Sequence, residues 1–450
     1  MNPTRPPGVE VVHSASAVAP IGGHPLLVFL LQLCALLGLA VLLGRLAVRL
    51  GMSGVVGELC AGVVLGPSLL GHLAPSASRW LFAADPAQFH LLDAVGQVGL
   101  LLLVGYTGTH IDLGFIRRKA TAAARISASG LLLSLGLGIG AGYTLPAALV
   151  PAGTDRSVFA FFLGVALAVS AIPVLAKTLM DLGLLHRDIG QVTLCAVMID
   201  DTVGWLLLSV VTALAVGTVT TGGVALSVGS VLLVVACAWL LRPVLRAVLR
   251  TAGGGNQAGG QQVAVTALLM LLGAAGAQAA GLEAVFGAFV MGIAVKSTGE
   301  VAVARLEPMR TGVLAVLAPI FFATAGLRMD LTALVRPPVL LTGLAVLLCA
   351  VIGKFTGGYL GARLSGFNHW EGLAMGAGVN ARGVIEVIIA MVGLRLGVLS
   401  PEMYTIIVLI AIVTSTMAPP LLRFTMARVE HTHEERQRAR THGVTTPEVA

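Results

Sequence analysis

The chain has 450 residues, of which 57% are apolar, 11% charged and 56 glycine, with a formal net charge of +7; a soluble protein carries roughly twice that charged fraction. So few charges cannot cover a water-facing surface, and apolar runs of 18 or more residues recur from end to end, which excludes a soluble enzyme and a nucleic-acid-binding module. The five cysteines (Cys34, Cys60, Cys195, Cys237 and Cys349) lie in apolar stretches with no C-x-x-C spacing, so neither a disulfide framework nor a zinc site is encoded.

In chain order, residues 1–24 form a polar segment holding one basic residue, Arg5. The first apolar run, Pro25 to Gly44, is too long for a signal-peptide core and is expected to stay as a span at 25–48. Further spans are expected at 54–73, 90–112, 121–148, 157–183, 189–217, 222–250, 262–280, 283–299, 310–331, 336–364, 370–398 and 401–425, about thirteen in all. Residues 251–262, TAGGGNQAGGQQ, read as a flexible linker between two halves, and 426–450 as a short charged tail. The runs are continuous, not alternating, so the expected fold is an all-α polytopic membrane protein and not a β-barrel.

The loops check this count through the bias of Lys and Arg toward the cytoplasm. With the N-terminus outside, twenty of the 28 basic residues fall on the cytoplasmic side and six (Arg5, Arg79, Arg156, Arg328, Arg336 and Arg395) on the other. That asymmetry supports thirteen spans with the C-terminus in the cytoplasm. It also explains the positive net charge as topology instead of affinity for nucleic acid.

Two basic residues are left unassigned to either side, Lys354 in VIGKFTGG of the eleventh span and Arg382 in GVNARGVIEVIIA of the twelfth. Three acids join them: Asp200 and Asp201 in AVMIDDTVGW, and Glu386. A charge at the bilayer centre costs about 2.5–3.5 kcal/mol on the insertion scale, so each needs a reason to be there. Neighbours on a helix point about 100° apart, so one aspartate can pair with a cation while the other faces a water-filled cavity. Two adjacent carboxylates resist joint ionisation, which makes one of them a proton carrier. Deprotonated, the same carboxylate is a hard oxygen ligand for a small monovalent cation. Proton and cation then compete for one site, which is the chemistry of an antiporter.

Helix breakers give a second signal. Pro173 in LAVSAIPVLAKTL lacks a backbone donor and stands near Ser170, which offers an oxygen. In GVNARG, Gly378 and Gly383 flank Asn380 and Arg382. Those two spans are seven apart in order and so run in opposite directions. Interrupted helices in oppositely oriented places of two halves are expected of an inverted-repeat transporter with a site near the midplane.

At these residues the sequence resembles the monovalent cation:proton antiporter-2 family. The likeness runs through GVVGELCAGVVLGPSLLG (54–71), VALAVSAIPVLAKTLMDLGLL (165–185), IDDTVGWLLL (199–208), AVFGAFVMGI (284–293), APIFFATAGLRMDL (318–331), GKFTGGYLGARL (353–364) and GAGVNARGVIEVIIA (376–390). It implies an inverted-repeat antiporter fold with two crossing discontinuous helices, working as a homodimer in the cytoplasmic membrane. By position, 25–112 and 262–331 would hold the dimerisation helices, 121–217 and 336–425 the mobile core, and 222–250 a linker helix. The likeness further implies that Asp201 is the ligand for the cation (Na⁺ or K⁺) and the proton. Asp200 would pair with Lys354, and an acidic pair is associated with electrogenic exchange. Asn380, Arg382 and Glu386 match the plant and fungal Asn-x-x-Gly-x-x-Glu pattern more than the Arg-Gly-Glu form. Residues 101–113, LLLVGYTGTHIDL, are looser than the family's Phe-x-x-Gly-x-Glu-x-Asp pattern, so nothing is carried over there. With only a short tail, neither nucleotide binding nor any other cofactor is expected.

Rival functions fit less well. An intramembrane hydrolase needs acids on two helices facing one water, whereas Asp200 and Asp201 are adjacent on one. A gated cation channel and a proton-coupled exporter of a larger organic cation or drug remain the alternatives within transport. Glu58 and Asp93 are boundary acids, Glu58 as a helix cap or cavity residue and Asp93 as a funnel residue or plain boundary charge. His431 and His433 lack a third ligand and read as solvated tail.

Overall fold

The structure is a computed structural model that describes residues 22–50, 52–82, 86–109, 120–171, 174–175, 178–179, 182, 184, 187–216, 221–252, 258–299 and 303–430. Every regular element among the described residues is helical. The principal helices are α1 (Gly23–Arg49), α2 (Gly54–Leu65), α3 (Pro86–Gly108), α4 (Ala120–Thr144), α5 (Arg156–Ala168), α6 (Asp188–Val216), α7 (Thr221–Leu240) and α8 (Arg242–Ala252). They continue as α9 (Ala258–Ala279), α10 (Ala284–Ser297), α11 (Glu307–Leu327), α12 (Pro337–Leu364), α13 (His369–Val379), α14 (Val384–Arg395) and α15 (Pro401–Met426).

Nine helices among the described residues are long and apolar enough to cross a bilayer, or ten if the pair Gly229–Leu240 and Arg242–Ala252, bent by 47°, makes one span. Thirteen apolar segments were expected, and three of them hold shorter or interrupted helices: α5, α10, and the α13–α14 pair. Local chemistry explains several ends. Asp155 caps α5 by accepting a 2.7 Å hydrogen bond from the Ser157 amide. A reciprocal capping box of Asn368 and Glu371 starts α13. Within α11 the turn Val313–Leu317 widens to a π-helix just before Pro319, whose ring carries no N–H for the regular ladder.

Lipid offers no hydrophobic drive between helices, so close packing of small residues decides which ones touch. A Cβ on Gly357 of α12 would lie 2.6 Å from the Gly130 Cα of α4, and one on Gly361 would lie 2.6 Å from the Ile126 Cα. That approach is open only to glycine, and it sets α12 against α4 along their length. A similar meeting joins α2 to α11, where a Cβ on Gly62 would lie 1.9 Å from the Ala323 carbonyl oxygen. Helices α4, α5, α6 and α12–α15 pack mainly on one another, as do α1–α3 with α9–α11. Between the two groups Trp205 of α6 meets Phe289 of α10, ring centroids 5.8 Å apart, in one continuous buried apolar cluster.

Candidate ion-binding site

The site is built where two helix interruptions meet. Helix α5 ends at Ala168 with Val169 in an extended conformation, and α13 ends at Val379 with α14 restarting at Val384. The interruptions touch directly. The Ala171 amide donates to the Ala381 carbonyl at 3.2 Å, and the Ser170 hydroxyl donates to the Val379 carbonyl at 2.8 Å. A Cβ on Gly383 would lie 2.6 Å from the Val174 side chain, and one on Gly204 of α6 would lie 2.8 Å from Val169, so glycines allow all three chains to close on one point. Pro173, expected to break the first helix, lies outside the described residues; the helix already ends at Ala168.

Each of the five intramembrane charges is buried here: Asp201, Lys354 and Arg382 at 0% exposure, Asp200 and Glu386 at 1%. Lys354 and Asp200 form an ion pair at 2.6 Å. The same ammonium donates to the Ala168 carbonyl, one of the acceptors left over at the end of α5, where a cation also offsets the negative end of the helix. Asp200 further accepts from Ser170 at 2.9 Å and from Ser127 of α4 at 2.5 Å. Three donors therefore share its two oxygens. None of those bonds goes to Asp201, which the helical turn directs to another side of α6.

Arg382 pairs with Glu386 at 3.2 Å, donates to the Ala350 carbonyl of α12 at 2.8 Å, and its own carbonyl accepts from Ser415 of α15. Glu386 lies in the first turn of α14, the positive end of that helix. Asn380 is fully buried, with neither amide atom hydrogen-bonded among the described residues. Together the five side chains, three acids and two bases, carry one net negative charge when all are ionised. Holding charge in so buried a place is expensive, which is why each of these groups needs a reason to be there.

Ser127 was missed from sequence, because a serine in an Ala/Ser/Gly-rich span reads as a packing residue. Glu58, considered as a helix cap, lies a turn inside α2; Ser53 stands at the cap position and makes no side-chain bond there. Asp93 is paired with Arg328 at 2.6 Å.

Residues 35–428 match the family model for the sodium/hydrogen exchanger, transmembrane. The chain belongs to the sodium/hydrogen exchanger family. The chain is 31% identical over 400 residues to the Na⁺/H⁺ antiporter NhaS4 of Synechocystis sp., an alignment covering 89% of this chain and 97% of the relative. It is 28% identical to the Cation/H⁺ antiporter 17 of Arabidopsis thaliana over 89% of this chain, and it spans about half the length of that plant relative (48%). Among solved structures, the sodium proton antiporter MjNhaP1 of Methanocaldococcus jannaschii superposes with a TM-score of 0.67 at 15% identity, covering 89% of this chain and 99% of that one, which establishes a shared fold. The family is one of transporters, and this chain is a multi-pass membrane protein of it.

Proposed function

We propose that the protein exchanges a monovalent cation, Na⁺ or K⁺, for protons across the cytoplasmic membrane by alternating access, with Asp201 binding cation and proton in competition. The observation that carries this reading is the division of labour between the adjacent acids. Asp200 is engaged by Lys354, Ser127 and Ser170, so it holds the crossing together, while Asp201, fully buried beside it on α6 and outside that set of bonds, is the carboxylate given to cation and proton. The carbonyl ends of α5 and α13 add negative helix termini, and Asn380 adds a buried amide oxygen. No covalent step and no cofactor enters this scheme.

The mutual packing of α4–α6 with α12–α15 supports their moving as one core (121–217 and 336–425) against the dimerisation helices (25–112 and 262–331), with α7 and α8 as the connection. The working unit is a homodimer, N-termini outside and C-termini cytoplasmic. Purified protein in proteoliposomes is expected to dissipate an imposed ΔpH on addition of Na⁺ or K⁺, saturably, and with Li⁺ and Rb⁺ resolving the size preference. Imposing a voltage reads the stoichiometry, since each net charge moved is worth about 2.3 kcal/mol per 100 mV. Conductive flux with no ΔpH coupling would instead establish a channel.

A further inference from the structure

A second group of polar side chains lies apart from the crossing, at the end of the bundle that the charge bias places outside. Asp93 projects from the second turn of α3, Arg328 follows the last residue of α11, and Met391 is on α14. One guanidinium nitrogen of Arg328, Nη2, faces both Asp93 oxygens, at 2.7 and 2.6 Å. The other terminal nitrogen contacts the Met391 sulfur at 3.2 Å, and the guanidinium lies over the Phe89 ring, 5.2 Å from its centroid. Beside the pair is a cavity of about 10 Å³, lined also by Gln97 and Thr324, which is room for one water-sized guest. Thr324 is 2% exposed, and its hydroxyl has no hydrogen-bond partner among the described residues.

Three features point to a ligand. A single nitrogen astride a carboxylate is not the parallel fork by which Arg usually grips an acid. It is where a lone cation sits on a bidentate carboxylate. Around it, the Gln97 amide and the orphaned Thr324 hydroxyl provide further oxygens, the donor type that hard monovalent cations select. Finally, the cavity is on the way to the crossing: Met391 is five residues after Glu386 on α14, about 7.5 Å of helix rise.

We propose that Asp93, Gln97 and Thr324 form an outer cation-binding station, which the Arg328 guanidinium fills as a tethered surrogate cation when the outer side is closed. Arg328 is carried on the end of α11, in the packing group of α3, and reaches Met391 of α14 in the other group. Movement of α14 therefore breaks the Met391 contact that steadies the guanidinium, frees the side chain to swing off Asp93 and lets a transported Na⁺ or K⁺ take its place. The proposal rests on the antiport reading above and extends it to a second stop on the route.

The test compares half-saturation by Na⁺ and by K⁺ on the outer face, in right-side-out vesicles, with that on the inner face, in everted vesicles. Arg328→Met removes the surrogate and is expected to lower the outer-to-inner ratio about tenfold, whereas Asp93→Asn removes the ligand and should raise it about tenfold. Asp93→Glu keeps the carboxylate and is expected to keep the wild-type ratio, so the contrast between Asn and Glu decides the matter even if Arg328→Met does not fold. A pair that served only as a latch would be broken alike by Arg328→Met and Asp93→Asn, and both would shift the ratio the same way. That result, or no shift in either, overturns the station while exchange through Asp201 stands. Absence of ΔpH-coupled cation flux in the wild type would instead overturn the antiport reading and the station with it.

Discussion

Asp201→Asn is expected to abolish cation-dependent ΔpH dissipation in everted vesicles, by about a hundredfold or more, while the protein still folds and inserts. The amide is the same size and keeps the packing of α6, but it takes the centre from one net negative charge to none. Without that carboxylate the fully buried site loses the anionic oxygens that would replace a cation's water shell. The proton has no carboxylate to ride on either. Wild-type exchange by this variant would remove Asp201 from the mechanism and return attention to Glu386.

Lys354→Met is expected to have the largest effect on stability. It leaves Asp200 buried at 1% exposure with two serine donors but no cation, and breaking a buried ion pair from one side typically costs about 3–5 kcal/mol. The unfolding midpoint in detergent should fall accordingly. Adding Asp200→Asn removes the stranded charge, so the double variant should recover most of the loss. Because the pair is neutral as a unit, the double variant keeps the net charge of the centre and is expected to keep measurable exchange through Asp201. A double variant as unstable as Lys354→Met alone would mean that Lys354 acts through the Ala168 carbonyl and the end of α5, not through Asp200.

Much of the centre was legible in the sequence because charges are so rare in these spans. Hydropathy alone isolates Asp200, Asp201, Lys354, Arg382 and Glu386, and helix geometry says that the two aspartates diverge. The interruption at Asn380–Gly383 is signalled by its glycines. The other interruption was less exact, since Pro173 marked the region but the helix ends five residues earlier, where Ser170 and Ala171 turn their groups to the partner interruption. Ser127 and the Asp93–Arg328 pair carry no local signal. Their roles depend on which helices cross, and that is decided by glycine contacts between segments more than 200 residues apart, such as Gly130 with Gly357. Apolar segments that hold a short or interrupted helix (α5, α10 and the α13–α14 pair) look the same, residue by residue, as those that form one long helix, so the sequence does not tell the two kinds apart.

The central claim, one carboxylate shared by cation and proton, is tested most directly by the pH dependence of cation half-saturation in proteoliposomes, with pH changed on the face to which the cation is added. Competition for Asp201 predicts that the half-saturating cation concentration rises about tenfold per unit of falling pH on the acid side of the site's titration, because the ligand must be deprotonated to bind. The limiting rate at saturating cation should not change over that range. A limiting rate that falls with pH at constant half-saturation would contradict the account, for it would place proton and cation on separate groups.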